Sequence, residues 1–226
     1  MRLAVLLALL ALPVAPAAAT PAFDPLAMYG PELRFRVWRD GSEIGSHVVT
    51  FRRDGEAIRA DARFDVAVRL LGITVFRYGY AASALWRDGE MARIEATVDD
   101  DGTVLALQAE RHGDSVIVDG PKGLARFAAP LWPTSHWHPG VLSQSRVLNT
   151  LTGGIDAVTI TPAGVEVVAT NAGPVRAARY RYSGDLRDVE AWYDDAGRWV
   201  GLRFPGTDGT LIEYVCDLCV RPPEAR

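Results

Sequence analysis

From Ile58 to Leu70 the chain alternates. Ile58, Ala60, Ala62, Phe64, Val66, Val68 and Leu70 share one parity, and Arg59, Asp61, Arg63, Asp65, Ala67 and Arg69 occupy the other. Successive side chains of a strand point to opposite faces, so this run has one dry face and one wet face. It is longer than an ordinary strand of about five or six residues, which predicts a long, curved strand in an antiparallel sheet. The same pattern predicts strands over 33–39, 45–53, 57–70, 73–87, 91–98, 103–111, 115–118, 157–161, 165–170, 174–183, 188–194, 198–204 and 210–216. Turn residues separate them: Asp40-Gly41, Asp54-Gly55, Asp88-Gly89, Asp101-Gly102, Gly113-Asp114, Asp119-Gly120, Gly197 and Asp208-Gly209. Asp-Gly suits tight hairpins because glycine accepts positive φ and the carboxylate caps nearby amides. The expected fold is therefore mainly all-β, a curved antiparallel sheet or half-barrel.

One stretch breaks the alternation. Between Ala129 and Gly154, Pro139 is placed to open a short helix with Val141, Leu142, Ser145 and Leu148 on one face. This helix is expected to pack on the concave face of the sheet or plug one end, dividing an N-terminal β section from a C-terminal one. Residues 20–32, with Pro21, Pro25, Gly30 and Pro31, read as a lead-in segment. A single β-rich domain then spans 33–220, and 221–226 form a C-terminal tail.

The N-terminus changes the address of the protein. Arg2 precedes an apolar run from Leu3 to Leu12, Pro13 and Pro16 follow, and Ala17-Ala18-Ala19 offers small residues for a signal peptidase. Residues 1–19 are expected to be a signal peptide cleaved near Ala19, sending the protein to the periplasm or outside the cell. The apolar run is shorter than the roughly 20 residues that span a bilayer. No cysteine lies near the cleavage point to take an acyl chain, and no transmembrane segment is expected in the mature chain. The formal net charge is −4, hydrophobic residues make up 49% of the chain, and Lys122 is the only lysine. A sizeable core can thus form, and no basic tract suits a phosphate backbone, which removes nucleic acid as a partner.

The densest candidate chemistry is Trp132-Pro133-Thr134-Ser135-His136-Trp137-His138-Pro139. Stiff prolines lower the entropy of ordering such a loop, and imidazoles titrate near neutral pH, so Trp132, Ser135, His136, Trp137 and His138 are the candidate ligand-binding residues. In an extended segment His136 and His138 would face the same way and could chelate a metal with a carboxylate from Asp99, Asp100 or Asp101. No third ligand stands at a recognised spacing, and the alternative is that the imidazoles bond backbone or cap the next helix. Ser135 beside His136 suggests a hydrolase only superficially, because no G-x-S-x-G elbow is present. Calcium at Asp99–Asp101 or Asp194-Asp195 lacks the spacing of a 12-residue loop, and solvated turns account for these acids. No cofactor is expected.

Cys216 and Cys219 are the only cysteines. In an oxidising compartment they suggest a disulfide, with free or metal-binding thiols and redox chemistry as alternatives. Residues three apart on a straight strand lie about 10 Å apart, so bridging requires the strand to end by Cys216 and turn. Trp38-Arg39-Asp40-Gly41, Trp86-Arg87-Asp88-Gly89 and the stretch from Trp192 to Trp199 each set an aromatic before an acidic turn. Packing across strands explains that echo, with ligand stacking as the alternative.

Several separated stretches carry a family likeness: Val37-Trp38-Arg39-Asp40-Gly41 with Ile44-Gly45, Leu70-Leu71-Gly72-Ile73-Thr74-Val75-Phe76, Pro133-Thr134-Ser135-His136-Trp137, Leu148-Asn149-Thr150-Leu151-Thr152-Gly153, and Trp192 through Leu202. Across most of the mature chain the sequence resembles an uncharacterised family of exported bacterial proteins, the domain of unknown function 6134. The resemblance implies no assigned activity and no catalytic residues, and the Cys216/Cys219 tail lies outside its pattern. Long curved strands also look like the half-barrels of periplasmic lipoprotein carriers, a likeness of fold only. The favoured reading is an exported binding or envelope-maintenance protein without catalysis, with an apolar small molecule or lipid, or an envelope protein, as partner. A hydrolase or metal-dependent enzyme centred on His136/His138 and a structural or assembly protein are the alternatives.

Overall fold

The computed structural model describes residues 23–220 except 71, 72 and 207. The expected signal peptide and the 221–226 tail lie outside the described residues. A one-turn helix, α1 (Pro25–Tyr29), stands in the lead-in segment, with the Asp24 carboxylate accepting from the Leu26 amide. Fourteen strands follow: β1 (Glu32–Arg39), β2 (Ser42–Asp54), β3 (Ala57–Leu70), β4 (Ile73–Arg87), β5 (Glu90–Asp100), β6 (Thr103–His112), β7 (Ser115–Gly120), β8 (Gly123–Ala128), β9 (Arg146–Leu148), β10 (Ile155–Thr170), β11 (Gly173–Gly184), β12 (Glu190–Asp194), β13 (Trp199–Pro205) and β14 (Leu211–Leu218). They form one antiparallel sheet, ordered β8-β7-β6-β5-β4-β3-β2-β1-β14-β13-β12-β11-β10-β9. Two meanders thus meet where β1 pairs β14, and the sheet stays open between β8 and β9.

The hairpins follow their turn chemistry. Asp40-Gly41, Asp88-Gly89 and Asp101-Gly102 all take positive φ at both positions, the arrangement that matches the right-handed twist of the flanking strands. Bulges at Val37/Trp38, Val68/Arg69, Leu85/Trp86 and Trp192/Tyr193 add curvature.

Four local expectations are corrected. Residues 157–161 and 165–170 belong to one strand, β10, whose ladder to β11 is interrupted only between Pro162 and Val165. Lys122 and its neighbours, rather than Asp119-Gly120, make the turn after β7, because Gly120 still pairs Gly123 in a β8 that the alternation missed. The helix at Pro139 is a 3-10 turn that stops at Ser143, since Gln144 is already extended and Arg146 enters β9. Ser145 and Leu148 are not on it.

The fourth correction concerns β14, which does not end at Cys216 but runs to Leu218. Its register against β1 shifts between Arg34↔Leu218 and Phe35↔Cys216, so Asp217 is an extra residue that bends the strand. The bend brings the Cys216 and Cys219 Cα atoms to 5.7 Å, and the sulfurs are bonded. Asn171, at the β10–β11 turn, holds this corner: its Oδ1 accepts from the Cys219 and Val220 amides, each at 3.1 Å, and its Nδ2 donates to the Val220 carbonyl at 2.9 Å.

At Gly45 the β2 and β3 backbones approach so closely that a Cβ would lie 1.9 Å from the Asp65 carbonyl oxygen. Gly45→Ala is expected to destabilise the protein by about 1–3 kcal/mol, since the clash is with backbone and one strand must shift. A urea midpoint unchanged from wild type would contradict this packing.

Candidate functional site

The five residues singled out from the sequence come together, and they do so inside the sheet. Trp132, Trp137 and His138 are buried, while Ser135 and His136 are half-buried. The Trp137 ring lies 5.0 Å from Phe51, 5.2 Å from Trp86 and 6.2 Å from Phe23; the Trp132 ring lies 5.2 Å from Trp86. Residues 131–148 therefore form a plug whose aromatic side chains complete the core supplied by β1 to β6. Leu131, Val141, Val147 and Leu148 are almost wholly enclosed with them.

A buried irregular segment must find partners for its backbone. Tyr29 donates to the Trp137 carbonyl at 2.9 Å and accepts from the Trp199 amide at 2.9 Å. Tyr193 donates to the His136 carbonyl at 2.8 Å, and the Leu148 amide donates to the Trp132 carbonyl at 2.6 Å. These tyrosines carry no spacing signature in the sequence, and their role was not foreseen.

The histidines serve the same end. His138 sits at the N-cap of the Pro139–Ser143 turn, where its Nδ1 accepts from the Gly140 amide at 3.1 Å. His136 Nδ1 stands 3.2 Å from the Tyr182 hydroxyl, and its ring lies 5.4 Å from Trp199. His47, on β2, faces the same space and packs against Trp199, Tyr214 and Phe64 at ring separations of 5.7, 5.3 and 6.1 Å. Burial lowers its pKa to about 3, with the nearby His136 adding to the shift. Burial likewise lowers His136 and His138 to about 4 each. All three rings are neutral at pH 7. His47 Nδ1, His138 Nε2 and Trp86 Nε1 are out of solvent reach and find no partner among the described residues. Burial raises Tyr80 to about 12, and it lifts Tyr29, Tyr182 and Tyr214 further still.

Other candidates separate from the plug. Asp99 accepts from the Gly102 amide and, with Asp100 and Asp101, is exposed at the β5–β6 turn. Asp194 is buried rather than solvated: it accepts from the Ala196 and Arg198 amides and from Arg198 Nε at 2.6 Å, which shapes the β12–β13 turn. Trp86 and Trp199 are core residues, and Trp192 donates to Glu166 beneath the Arg203 guanidinium. Among the described residues no three His, Cys, Asp or Glu side chains are grouped to hold a metal ion.

The plug does not fill the whole inner face. Along β3, Ile58 and Ala60 are buried, whereas Ala62, Phe64, Val66 and Val68 on the same face are half-buried. Their β4 partners Tyr80, Tyr78 and Phe76 are half-buried or exposed, as are Phe204 on β13 and Ile212 and Tyr214 on β14. One end of the concave face is thus a dry core, and the other is a partly open aromatic wall. Surface depressions of about 150 and 360 Å³ lie elsewhere, the first beside Arg93 and Gln108 and the second beside Glu190 and Arg203.

Comparison with known proteins gives a family and a fold. The family described as a domain of unknown function, DUF6134, matches residues 35–217. No curated protein matches. A beta-barrel-like protein of the domain of unknown function DUF1849 from Brucella abortus, known as a crystal structure, superposes with a TM-score of 0.58 at 10% identity, over 82% of this chain and 95% of that one. The likeness is one of fold alone.

The neutral histidines set a pH dependence. Their folded pKa values lie below the unfolded value near 6.5, so the unfolded chain binds more protons as the pH falls, and their contribution to stability is complete above about pH 6.5 and lost toward pH 4. Each contributes a slope of up to about 1.4 kcal/mol per pH unit in that window. His47→Phe removes one, and should flatten the fall of unfolding free energy between pH 6.5 and 4.5 in denaturant titrations; parallel curves would show that His47 is protonated in the fold.

Proposed function

Because the chain belongs to the DUF6134 family, to which no activity is assigned, we propose from its own surfaces that it is an exported envelope protein that binds an apolar ligand without catalysing a reaction. The observation that carries this reading is the unfilled end of the concave face. Phe64, Val66, Val68, Tyr78, Phe204 and Ile212 line it and keep partial contact with water, although the same strands are dry a few residues away. A concave apolar wall beside a rigid plug suits a small molecule or lipid chain laid along the strands. Phe64 and Tyr214 already stack there at 5.7 Å, a flat aromatic floor rather than a flexible one. Binding an extended apolar segment of an envelope protein in the same place is the variant of this reading that demands no closed pocket.

Trp132, Ser135, His136, Trp137 and His138 take a supporting part in this proposal. They form the rigid back of the site and fix where the apolar wall begins. Hydrolytic or metal-dependent chemistry at His136 and His138 draws no support, since each Nδ1 is engaged by Gly140 or Tyr182 and, among the described residues, no three His, Cys, Asp or Glu side chains are grouped there. The Cys216–Cys219 bond fits an oxidising compartment.

The fluorescent probe N-phenyl-1-naphthylamine should brighten on binding the wild-type protein, and Phe64→Asp should weaken that binding by about tenfold or more, with the circular dichroism of the sheet retained. Val66→Asp, on the neighbouring pair, should act in the same direction. No brightening, together with no co-purifying ligand in native mass spectrometry, would dispose of the proposal.

A further inference from the structure

β3 and β4 run past the ladders of both neighbours. The β2 pairing with β3 ends at Gly45↔Val66, and the β5 pairing with β4 ends at Tyr78↔Asp100, with one further bond from the Asp101 amide to the Arg77 carbonyl. Beyond those points 67–70 and 73–76 bond only to each other, through Ala67↔Arg77, Val68↔Phe76, Arg69↔Thr74 and Leu70↔Ile73. The result is a two-stranded ribbon extending about 13 Å at about 3.3 Å per residue. An isolated two-stranded ribbon is marginal in water, and this one carries apolar residues where it is least covered: Ile73 is 70% exposed, Val75 53% and Phe76 37%.

Pairing and the bulge at Val68/Arg69 place these residues on both faces. Phe76 shares a face with Val68 and Tyr78, whereas Ile73 and Val75 have the opposite parity, with Arg77. A single protein surface laid against the ribbon would cover only one of those faces. A lipid interface surrounds whatever enters it and covers both. The charges agree: no acidic residue occurs between Asp65 and Asp88, and the exposed cations Arg69 and Arg77 bracket the apolar run. The acidic turn Asp99–Asp101 lies at the root of the ribbon, beside the Arg77 backbone, and about 13 Å from the Leu70↔Ile73 end at about 3.3 Å per residue, beyond the screening length of roughly 8 Å in physiological salt. Val104 and Leu105, 63% and 39% exposed on β6 just past that turn, extend the apolar surface at the same end of the sheet.

We propose that the end of the β3–β4 ribbon is a membrane-docking element, which inserts Ile73, Val75 and Phe76 into the interface of a phospholipid bilayer while Arg69 and Arg77 meet anionic headgroups. The proposal does not depend on ligand binding at the concave face.

The test is co-sedimentation of the mature chain, purified without residues 1–19, with vesicles of phosphatidylethanolamine and phosphatidylglycerol at 3:1. Wild-type protein should pellet with the vesicles, and Ile73→Ser/Val75→Ser/Phe76→Ser should lower the bound fraction at least tenfold. Arg69→Ala/Arg77→Ala should weaken binding less and steepen nothing else, since it removes only the headgroup attraction. Val165→Ser/Val167→Ser, at exposed positions of another hairpin, should bind like wild type. Wild-type protein that stays in the supernatant overturns the proposal, and so does an equal loss in the Val165/Val167 control, which would mark indiscriminate apolar adhesion. A wild-type dimer in light scattering that the triple serine variant converts to a monomer also overturns it, because the ribbon would then be covered by a second copy of the chain.

Discussion

Trp137 touches Phe23, Phe51 and Trp86, and the carbonyl of the same residue is bound by Tyr29, whose hydroxyl also accepts from Trp199 on β13. The lead-in helix, both meanders and the plug are thereby tied at one buried point. A wide sheet with two free edges cannot dry its inner face by closing on itself. An irregular segment has to be brought in, and its peptide groups must be satisfied where no water reaches. Tyr29 and Tyr193 meet that requirement, each being apolar in body and polar at the tip. Burial of two tryptophans, at roughly 2–3 kcal/mol each from area alone, is one part of what offsets the cost of ordering the loop.

The same economy explains the histidines. A neutral imidazole offers one donor and one acceptor in an aromatic shape, which suits an interior that needs a helix cap at His138 and a hydroxyl partner at His136. These rings look like chemistry when read along the chain and act as polar mortar once folded. What remains accessible is the neighbouring wall around Phe64 and Tyr214, built from strand residues whose alternation looks ordinary.

How much could be read in advance depended on whether the cause was local. The boundaries of β3 and β4 follow from alternation, because one face of each strand is apolar along much of its length. The edge strand β8, with Leu124 at 76% exposure, has little dry face and left no pattern. Strand β9 is three residues long and exists because the plug holds Leu148 against Ile155 and Pro133. Pro162-Ala163-Gly164 looks like a break, yet the sheet absorbs it as an irregularity within β10. The plug announced itself as an interruption rich in Trp, His and Pro. Its role as core was hidden, since the side chains that cover it, Phe51, Trp86 and Trp199, lie some 46 to 86 residues away for Trp86 and Phe51 and about 62 for Trp199. Asn171 was equally silent: a lone turn asparagine says nothing of a disulfide corner 45 residues on.

The union of β1 with β14 leaves its mark on biogenesis. Among all the ladders it alone joins segments from opposite ends of the domain, Phe35 with Cys216 and Trp38 with Glu213. While the polypeptide is being made, β1 has β2 on one side and an unsatisfied row of amides and carbonyls on the other, and it stays so until the last strand is delivered. Such an edge is a template for mispairing with neighbouring chains. Holding factors that shield nascent strands would therefore matter more to this protein than to one whose meander closes in order.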